Sequence, residues 1–442
     1  MYDKYRHIFR KYDIRGIFGK DLTPEIVTRI GLAISQYVDS KFSVGGDIRK
    51  STGILKDSLI NGLVYGNRDV LDIGIVPIGV AIYSTYHMGY AMAYITASHL
   101  PQEWNGIKLS RPNGDLLVGD DIVKIMQFFY NEHLISKESR KIGKITKKDI
   151  MDEYRDFILN NMKGGSLKIV VDCGNGAASL IAPQLLRDFG YTVYTVNCDI
   201  DSRFPARGSE PQPEKIRILS EVVTTIKADF GVAFDGDGDR TLFVDEKGNI
   251  LSAEQAAIVM LEGGIMGDVV ANVECSTILE KYVKYKGNKI YRVPVGRTFM
   301  IREMQKHDAI LGVESSGHFV AYKNLNMDDG IVTLVYFAHA LSSLNKPLSK
   351  IIPSTLPFKK IKIDVKNDRK KFIIMEKLKK EIVEKYDNIS LVDGIRIDLD
   401  EGWILIRPSN TEPVIRLTIE AKDTKTLIKL ENSFLQVVKK YL

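Results

Sequence analysis

Three parts of this chain repeat one pattern of short apolar runs, and the repeat constrains the fold more than any other feature. The first runs are 42–47, 167–175 and 268–273, the second are 71–77, 191–197 and 289–295, and the third are 91–96, 230–234 and 309–313. Short apolar runs bounded by turn residues are typical of buried strands in parallel sheets. The pattern therefore predicts three diverged βαβαβ units, each with a polar loop after its third strand, where such sheets bind ligands.

The length and the C-terminal pattern add a further domain. A chain of 442 residues is too long for one hydrophobic core. After Pro357 the runs 358–364, 391–397, 402–407 and 414–420 alternate like strands, and 369–386 and 423–442 have helical spacing. We expect an α/β protein of three similar domains with mixed sheets, over 1–145, 146–250 and 251–357, followed by an α+β domain over 358–442.

The charge pattern and the apolar stretches exclude several classes of protein. Lys and Arg number 62 against 56 Asp and Glu, and they are dispersed, so we expect no nucleic-acid partner. Residues 73–97 carry no acidic or basic charge except at His87, but Pro77, Gly79 and Gly89 interrupt them. We therefore expect no membrane span. The charged N-terminus and three cysteines without CxxC spacing predict a cytoplasmic protein with reduced thiols.

The most specific loop follows the third run of the second unit. Asp235, Asp237 and Asp239 alternate with glycines that permit a tight turn. Clustered carboxylates suit a hard cation such as Mg²⁺. An EF-hand is excluded because Arg240 stands where that loop needs glycine. A phosphatase with Asp237 as nucleophile, or a plain surface turn, stays open from this motif alone.

The loops of the first and third units and of the C-terminal domain also carry candidate chemistry. Ser98 stands at a strand end where a serine is accessible for covalent chemistry, with His99 and Lys108 nearby in sequence. Glu314 and Ser316 suit sugar hydroxyls, and His318 suits a hydroxyl or a phosphate. Arg407 precedes hydroxyl side chains and turn amides that together could cradle a phosphate. Each motif alone competes with an ordinary solvated turn.

Taken together, these four motifs and residues 12–16 resemble the α-D-phosphohexomutase superfamily, in particular the phosphomannomutase/phosphoglucomutase group, over the whole chain. The resemblance implies four domains around a central cleft. It also implies reversible phosphoryl transfer between C1 and C6 of a mannose or glucose phosphate, through a phosphoserine and a hexose 1,6-bisphosphate. A phosphoglucosamine mutase is the alternative within the family, since no residue distinguishes the sugars.

The resemblance also assigns residues. By similarity Ser98 is the phosphoserine, and with Asp235, Asp237 and Asp239 it holds Mg²⁺. The residues expected around the transferred phosphate are Arg15, His99, Lys108 and Arg240. Those expected to bind the rest of the substrate are Glu314, Ser316, His318, Arg297, Arg407, Ser409, Asn410 and Thr411. Leu100 and Arg297 depart from the residues usual in the family, and Arg297 stands in the sugar-orienting loop.

Two readings outside the mutases stay open. A Mg²⁺-dependent sugar phosphatase using Asp237 would release phosphate and would not need Ser98. A non-catalytic sugar-phosphate-binding protein would bind without turnover. The presence of all four motifs argues against the binding protein. The loop around Ser98 (the serine loop) together with the loop after Arg407 (the phosphate cradle) argues against the phosphatase. No oligomeric state follows from the sequence.

Overall fold

In a computed structural model, the described part of the chain forms four β-sheets. The structure describes residues 3–131, 141–264, 266–321, 328–409 and 413–442. The chain divides into two compact units. The first unit comprises Met1–Leu251, Val259–Met266 and Ser316–Ile351, and the second comprises Ser252–Ile258, Gly267–Ser315 and Ile352–Leu442.

The first sheet is mixed and has six strands in the order β1-β5-β4-β2-β3-β6. Its elements are β1 (Ile14–Ile17), α1 (Pro24–Tyr37), β2 (Phe42–Gly46), α2 (Thr52–Tyr65), β3 (Val70–Ile75), α3 (Ile78–Met88), β4 (Ala91–Ile95), β5 (Trp104–Ser110), α4 (Asp120–Tyr130) and β6 (Ile145–Lys147). Strand β2 pairs in parallel with β3 and β4, and β5 runs antiparallel to β4 and β1. Its strands and helices α1, α2 and α4 enclose one large apolar core.

The second sheet has the order β10-β9-β7-β8, with β7 parallel to β8 and β9 and with β10 antiparallel to β9. The elements of this part are α5 (Met151–Asn161), β7 (Lys168–Asp172), α6 (Ala182–Asp188), β8 (Thr192–Val196), α7 (Arg217–Ile226), β9 (Phe230–Phe234) and β10 (Thr241–Asp245). Every residue of β9 is buried, which explains its purely apolar sequence.

The third part supplies α8 (Ala253–Glu262), β11 (Val269–Asn272), α9 (Thr277–Tyr285), β12 (Ile290–Val293), α10 (Arg297–His307), β13 (Leu311–Val313), β14 (Phe319–Val320) and α11 (Gly330–Leu344). Strand β11 pairs in parallel with both β12 and β13. In all three sheets the first strand of the predicted set therefore lies between the other two. The three-unit repeat is confirmed.

The last part is an antiparallel sheet of a different kind, in the order β15-β19-β18-β17-β16. Its elements are β15 (Phe358–Asp364), α12 (Asp368–Lys385), β16 (Ile389–Ser390), β17 (Ile395–Leu399), β18 (Gly402–Pro408), β19 (Val414–Ala421) and α13 (Thr424–Lys439). Both helices pack apolar side chains on the sheet. The predicted fold class, three similar α/β domains and a C-terminal α+β domain, is confirmed.

Two details differ from the sequence expectations. The expected strand 391–397 begins only at Ile395, because Gly394 adopts φ +81°, a left-handed turn conformation that ends the extended run. Cys173 and Cys198 were expected as reduced thiols, but they form a disulfide, and within the described chain only Cys275 is a free cysteine. The number and spacing of the cysteines did not indicate this pairing, because it depends on tertiary structure. The two residues follow the neighbouring strands β7 and β8, which brings their Cα atoms to a distance of 4.8 Å.

The apolar stretch 73–97 divides into the end of β3, helix α3 and strand β4, as its glycines and proline suggest. Among the residues that the structure describes, no helix combines the length and the apolar character needed to cross a membrane.

Candidate active site

Ser98 lies just beyond β4 with its hydroxyl aimed at the acidic loop of the second domain. Its Oγ donates a hydrogen bond of 2.7 Å to Asp235 Oδ2. The residue is 2% exposed and has φ +50°, in the left-handed region. Its backbone N–H donates to Thr96 Oγ1 over 2.7 Å, and its Oγ lies 3.4 Å from His99 Nδ1. The candidate nucleophile is thus held against a carboxylate 137 residues away in sequence.

The acidic loop connects β9 to the antiparallel β10 and brings three carboxylates together. One oxygen from each of Asp235, Asp237 and Asp239 lies within 4.8 Å of the others, and all three residues are buried. Asp235 Oδ1 accepts the backbone N–H groups of Asp239 and Arg240 at 3.1 Å each. Burial, reinforced by the charges of Asp239 and Asp237, raises the pKa of Asp235 well above its ordinary value.

Two helix N-termini fix the position of this loop. The first N–H of α3, from Ile78, donates to the carbonyl of Asp237 over 3.0 Å. The first N–H of α11, from Gly330, donates to the carbonyl of Gly238 over 3.1 Å, and Gly238 itself adopts φ +80°. The partial positive charge at a helix N-terminus also favours the surrounding carboxylates.

Lys108 is not in the serine loop but on β5, and its ammonium group lies among the carboxylates. Its Nζ is 2.7 Å from Asp237 Oδ2 and 2.6 Å from Asp239 Oδ2, and the residue is 3% exposed. One ammonium group offsets only part of the charge of three carboxylates. Asp237 Oδ1 is also buried and accepts no hydrogen bond from any described residue. An all-oxygen donor set with such an oxygen fits a hard divalent cation.

Arg240 and His318 meet beside the acidic loop. Arg240 Nε donates to His318 Nε2 over 2.9 Å, and Arg240 Nη1 donates to Glu210 Oε1 over 3.3 Å. Since the arginine always donates, the ring proton of His318 belongs on Nδ1, which lies 2.7 Å from Asp328 Oδ2. The structure therefore places His318 as a neighbour of Arg240 within the first unit.

Arg15 and His99 complete the surroundings of Ser98. Arg15 Nε donates to Asp13 Oδ2 over 2.6 Å, and its Nη1 reaches the carbonyl of Ala97 at 3.4 Å. Burial, with the charges of Arg240 and Arg15, lowers the pKa of His99 to about 2. The imidazole is therefore neutral in this state. The first unit thus brings together Ser98, Arg15, His99, Lys108, Arg240, His318 and the three aspartates.

The second unit holds another group of predicted residues. Arg407 lies on β18, where its Nε donates to Glu274 Oε1 over 2.7 Å and its Nη1 is 4.0 Å from Asp393 Oδ2. Asp393 also accepts the backbone N–H of Val295 over 3.0 Å, next to the loop that carries Arg297. The loop around Arg297 is thereby linked to the arginine of the C-terminal domain.

The remaining predicted residues belong to the third and C-terminal domains. Arg297 is half-buried at the start of α10, Glu314 is buried just after β13, and Ser316 is exposed. Ser409 is buried, and its carbonyl accepts a hydrogen bond of 2.7 Å from Lys371 Nζ. Asn410 and Thr411 lie outside the described residues.

Sequence reasoning missed a set of carboxylate–arginine pairs. In each repeat an acidic residue at or just after the end of the first strand binds a buried arginine: Asp47 with Arg49, Asp172 with Arg207, and Glu274 with Arg407. The repeat itself carried a usable signal, since Asp47, Asp172 and Glu274 occupy similar places after β2, at the end of β7 and after β11. Their arginine partners are not predictable from local sequence, because two of them lie 35 and 133 residues away.

Comparisons with known proteins cover almost the whole chain. Four phosphoglucomutase/phosphomannomutase models match: alpha/beta/alpha domain I at residues 6–135, domain II at 152–248, domain III at 250–357 and the C-terminal domain at 361–437. A phosphoglucomutase/phosphomannomutase of Thermococcus kodakarensis is 35% identical over 436 residues, covering 94% of each chain. A probable phosphoglucosamine mutase of Methanopyrus kandleri is 31% identical, covering 97% of this chain and 96% of that protein.

The fold comparison agrees with the sequence comparison. The crystal structure of a phosphoglucomutase/phosphomannomutase family protein from Burkholderia thailandensis superimposes with a TM-score of 0.88 at 27% identity. The superposition covers 98% of this chain and 97% of that one.

Proposed function

The chain belongs to the phosphoglucomutase/phosphomannomutase family, and we propose that it moves a phosphoryl group reversibly between C1 and C6 of mannose or glucose phosphate. The proposal rests above all on the hydrogen bond of 2.7 Å from Ser98 Oγ to Asp235 Oδ2. This contact joins a strand-end serine to a cluster of buried carboxylates, which places the candidate nucleophile beside the candidate metal site. Relatives named phosphoglucomutase/phosphomannomutase support the same activity.

The reaction consists of two phosphoryl transfers through Ser98. A phosphorylated Ser98 gives its phosphoryl group to O1 or O6 of the hexose monophosphate, which yields a 1,6-bisphosphate and a free serine. The bisphosphate then reverses its orientation relative to Ser98. Its other phosphoryl group passes to Ser98 Oγ while the P–O bond to the sugar breaks. In each transfer the hydroxyl oxygen that receives the phosphoryl group gives up its proton, and the oxygen that loses the phosphoryl group takes a proton up. No phosphate is released to water.

We infer that Asp235, Asp237 and Asp239, with the phosphate on Ser98, hold Mg²⁺. The support is the fit described above: clustered buried oxygens, and an Asp237 oxygen with no hydrogen-bond partner in the described chain. A bound Mg²⁺ supplies charge neutralisation for the phosphoryl group in transfer. Lys108, between Asp237 and Asp239, contributes a fixed positive charge at the same place.

The cations around Ser98 are suited to stabilise the transferred phosphate. Phosphoryl transfer depends mainly on alignment and on charge stabilisation. Arg15, Lys108 and Arg240 supply positive charge, while neutral His99 can hydrogen-bond a phosphate oxygen. A phosphate on Ser98 would raise the pKa of His99 from its low value, because the added negative charge favours the imidazolium. His318 contributes by holding Arg240, with which it shares a hydrogen bond of 2.9 Å.

For the part of the substrate that does not react, we propose Arg407 and Ser409 as phosphate ligands, with Asn410 and Thr411, which lie outside the described residues. Arg407 is anchored through Nε, and its Nη1 lies 4.0 Å from Asp393 Oδ2, so its Nη2 is the group we propose for a charge-assisted bond to phosphate. Glu314 and Ser316 would bind sugar hydroxyls, and Arg297 lies at the start of α10 in the loop proposed to orient the sugar.

A phosphoglucosamine mutase is the second candidate, because several relatives of comparable identity carry that name. A cytoplasmic location and the absence of a nucleic-acid partner stay predictions.

A coupled assay of the purified protein against mannose 1-phosphate, glucose 1-phosphate and glucosamine 1-phosphate, with a trace of the bisphosphate, tests the proposal. We expect turnover of mannose or glucose phosphate, and phosphate on the Ser98 peptide by mass spectrometry. Ser98→Ala should abolish both, while Ser43→Ala, a buried hydroxyl on β2 with no partner in the described chain, should keep activity. Full activity of Ser98→Ala would overturn the mechanism, and net phosphate release would favour a phosphatase.

A further inference from the structure

Arg49, in the turn after β2, uses its whole guanidinium group to hold the serine loop. Its side chain is fully buried. Every one of its five N–H groups has an acceptor, as arginine geometry allows. The acceptors are Asp47 Oδ2 at 3.1 Å, the carbonyls of Ser98, Leu100 and Pro101 at 2.7 Å each, and the carbonyl of Trp104 at 3.0 Å.

These contacts fix the backbone of Ser98 in an unfavourable conformation. A φ of +50° costs free energy for a residue with a Cβ atom, so neighbouring groups must hold it. Arg49 Nη2 binds the Ser98 carbonyl, and Thr96 Oγ1 accepts the Ser98 N–H over 2.7 Å. Both polar backbone groups of Ser98 are therefore held by side chains, and its Oγ is aimed at Asp235.

One buried carboxylate organises both of these contacts. Asp47 Oδ2 accepts Arg49 Nε and also lies 2.7 Å from Thr96 Oγ1. Asp47 Oδ1 accepts the backbone N–H of Arg49 and the hydroxyl of Thr52. Asp47 therefore sets the position of the two side chains that bind the N–H and the carbonyl of Ser98.

The second repeat uses the same arrangement behind the acidic loop. Arg207 Nε donates to Asp172 Oδ2 over 2.8 Å, and its Nη2 donates to the carbonyl of Phe234 over 2.6 Å. Phe234 immediately precedes Asp235. A carboxylate at the end of the first strand thus holds an arginine, and the arginine holds the functional loop of that repeat. This recurrence favours loop positioning over an incidental buried ion pair.

We propose that Arg49 is a positioning residue for phosphoryl transfer, holding the Ser98 backbone so that Oγ faces Asp235 before substrate arrives. The inference rests on the proposed function, since it concerns the same serine. Arg49 does not contact substrate, because it is buried and all its donors are bound within the protein. Its removal should therefore change the rate of transfer and not the binding of hexose phosphate.

The test compares Arg49→Lys with Arg68→Lys. Arg68 is a matched control in the same domain, since it donates twice to the carbonyl of Ser35 without touching the serine loop. We expect Arg49→Lys to lower kcat roughly 100-fold, as misplacement of a reacting group does, with KM for hexose 1-phosphate unchanged within about twofold. Arg68→Lys should keep kcat and KM at their wild-type values, even if its melting temperature falls as much as that of Arg49→Lys.

Two further variants separate positioning from folding. In Arg49→Ala, added guanidinium ion should restore kcat about tenfold or more, whereas methylammonium at equal ionic strength should not, because only the planar guanidinium group places its donors toward all the acceptors that Arg49 binds. Thr96→Val keeps the side-chain shape and removes the other contact to the Ser98 backbone, together with a hydrogen bond of 3.1 Å to Asp237 Oδ2. It should lower kcat without raising KM.

The outcomes distinguish this inference from the proposed function. Wild-type kcat in Arg49→Lys, or a rise in KM alone, overturns the positioning role. If the wild-type protein itself shows no mutase activity, the proposed function fails. In that case hydrogen exchange of the backbone amides of residues 97–100 still tests whether Arg49 holds the serine loop. Exchange as slow in Arg49→Lys as in the wild type would show that it does not.

Discussion

Glu274 Oε1 accepts a hydrogen bond from Arg407 Nε over 2.7 Å, joining the third repeat to the C-terminal sheet inside the second unit. The other carboxylate oxygen lies 2.7 Å from Lys360 Nζ. Burial alone would raise the pKa of Glu274, but Lys360 and Arg407 together lower it to about 2. Glu274 is therefore ionised at any working pH, and it fixes the orientation of the arginine proposed to bind phosphate.

Glu274→Gln should weaken the binding of hexose phosphate. Gln keeps the shape but loses the charge, so Arg407 loses a charge-assisted bond whose typical value is about 1.5–3 kcal/mol. We expect kcat/KM to fall roughly 10- to 100-fold, mostly through KM, and activity to depend on added bisphosphate because the intermediate escapes. Steady-state kinetics with and without micromolar bisphosphate measure this. Glu431→Gln, which removes only the partner of Lys359, is the control.

Local sequence pattern predicted the strands well because burial leaves a local signature. β4 and β9 are buried throughout, and both appear as apolar runs that end shortly before Ser98 and Asp235. Pattern could not predict contacts that depend on the packing of distant segments. The Ser98–Asp235 hydrogen bond, the Cys173–Cys198 disulfide and the binding of Lys108 by Asp237 all join residues at least 25 positions apart.

The dependence on contacts between distant segments also explains why the role of Arg49 could not be predicted from the sequence. Arg49 is near Asp47 in sequence, yet the four carbonyls that it binds lie in the serine loop and at the start of β5, some 50 residues further on. A basic residue in a turn is ordinarily a solvated one. Only the tertiary structure shows that this one is buried, and the resemblance to a family transferred roles only to residues that lie in its motifs.

Asp237→Asn should separate metal binding from folding. The substitution removes one of the clustered charges and nearly preserves shape, so we expect loss of most activity. Without metal we expect little change in stability, because the relief of carboxylate repulsion is opposed by the loss of the charged contact to Lys108. Mg²⁺ at about 100 times its Kd should stabilise the wild type by about 2.7 kcal/mol and the variant far less. Thermal melts with Mg²⁺ and with EDTA measure this. Equal Mg²⁺ responses in the two proteins would contradict the metal assignment, and Asp57→Asn, an exposed carboxylate, is the control.

The disulfide should be detectable by counting thiols. In unfolded protein without reductant we expect one alkylated cysteine, Cys275, and after reduction three. Closing a loop of 25 residues stabilises a fold by roughly 3 kcal/mol, so reduction or Cys198→Ser should lower the free energy of unfolding by up to that amount. Three alkylated cysteines without reductant would show that the bond is absent from the purified protein.

Asp329 should make stability depend on pH. It accepts hydrogen bonds from Tyr154 and from the first turn of α11, but burial raises its pKa to about 6 from an ordinary 3.8. Between these values the folded state binds more protons than the unfolded state, so this contribution is fully present below pH 3.8 and is lost as the pH rises through about 6. The loss amounts to at most about 3 kcal/mol. Urea unfolding from pH 4 to 7 should show this slope in the wild type and not in Asp329→Asn. If the free energies of unfolding of the two proteins change equally with pH, other groups cause the slope.

Gly236 should tolerate no side chain, because its neighbour is the carbonyl of Ser98. A Cβ atom at this position would lie 2.5 Å from that oxygen, well inside contact distance. Arg49 Nη2 holds the same oxygen at 2.7 Å from the other loop, so the carbonyl cannot turn away without losing that bond. Gly236→Ala must therefore push the acidic loop and the serine loop apart and lengthen the hydrogen bond from Ser98 to Asp235. We expect kcat to fall roughly 100-fold and stability by about 1–3 kcal/mol. Gly53→Ala is the control, since nothing lies within 4 Å of its added Cβ, and it should keep full activity. Wild-type kcat in Gly236→Ala would show that the close approach of the two loops is not needed for transfer.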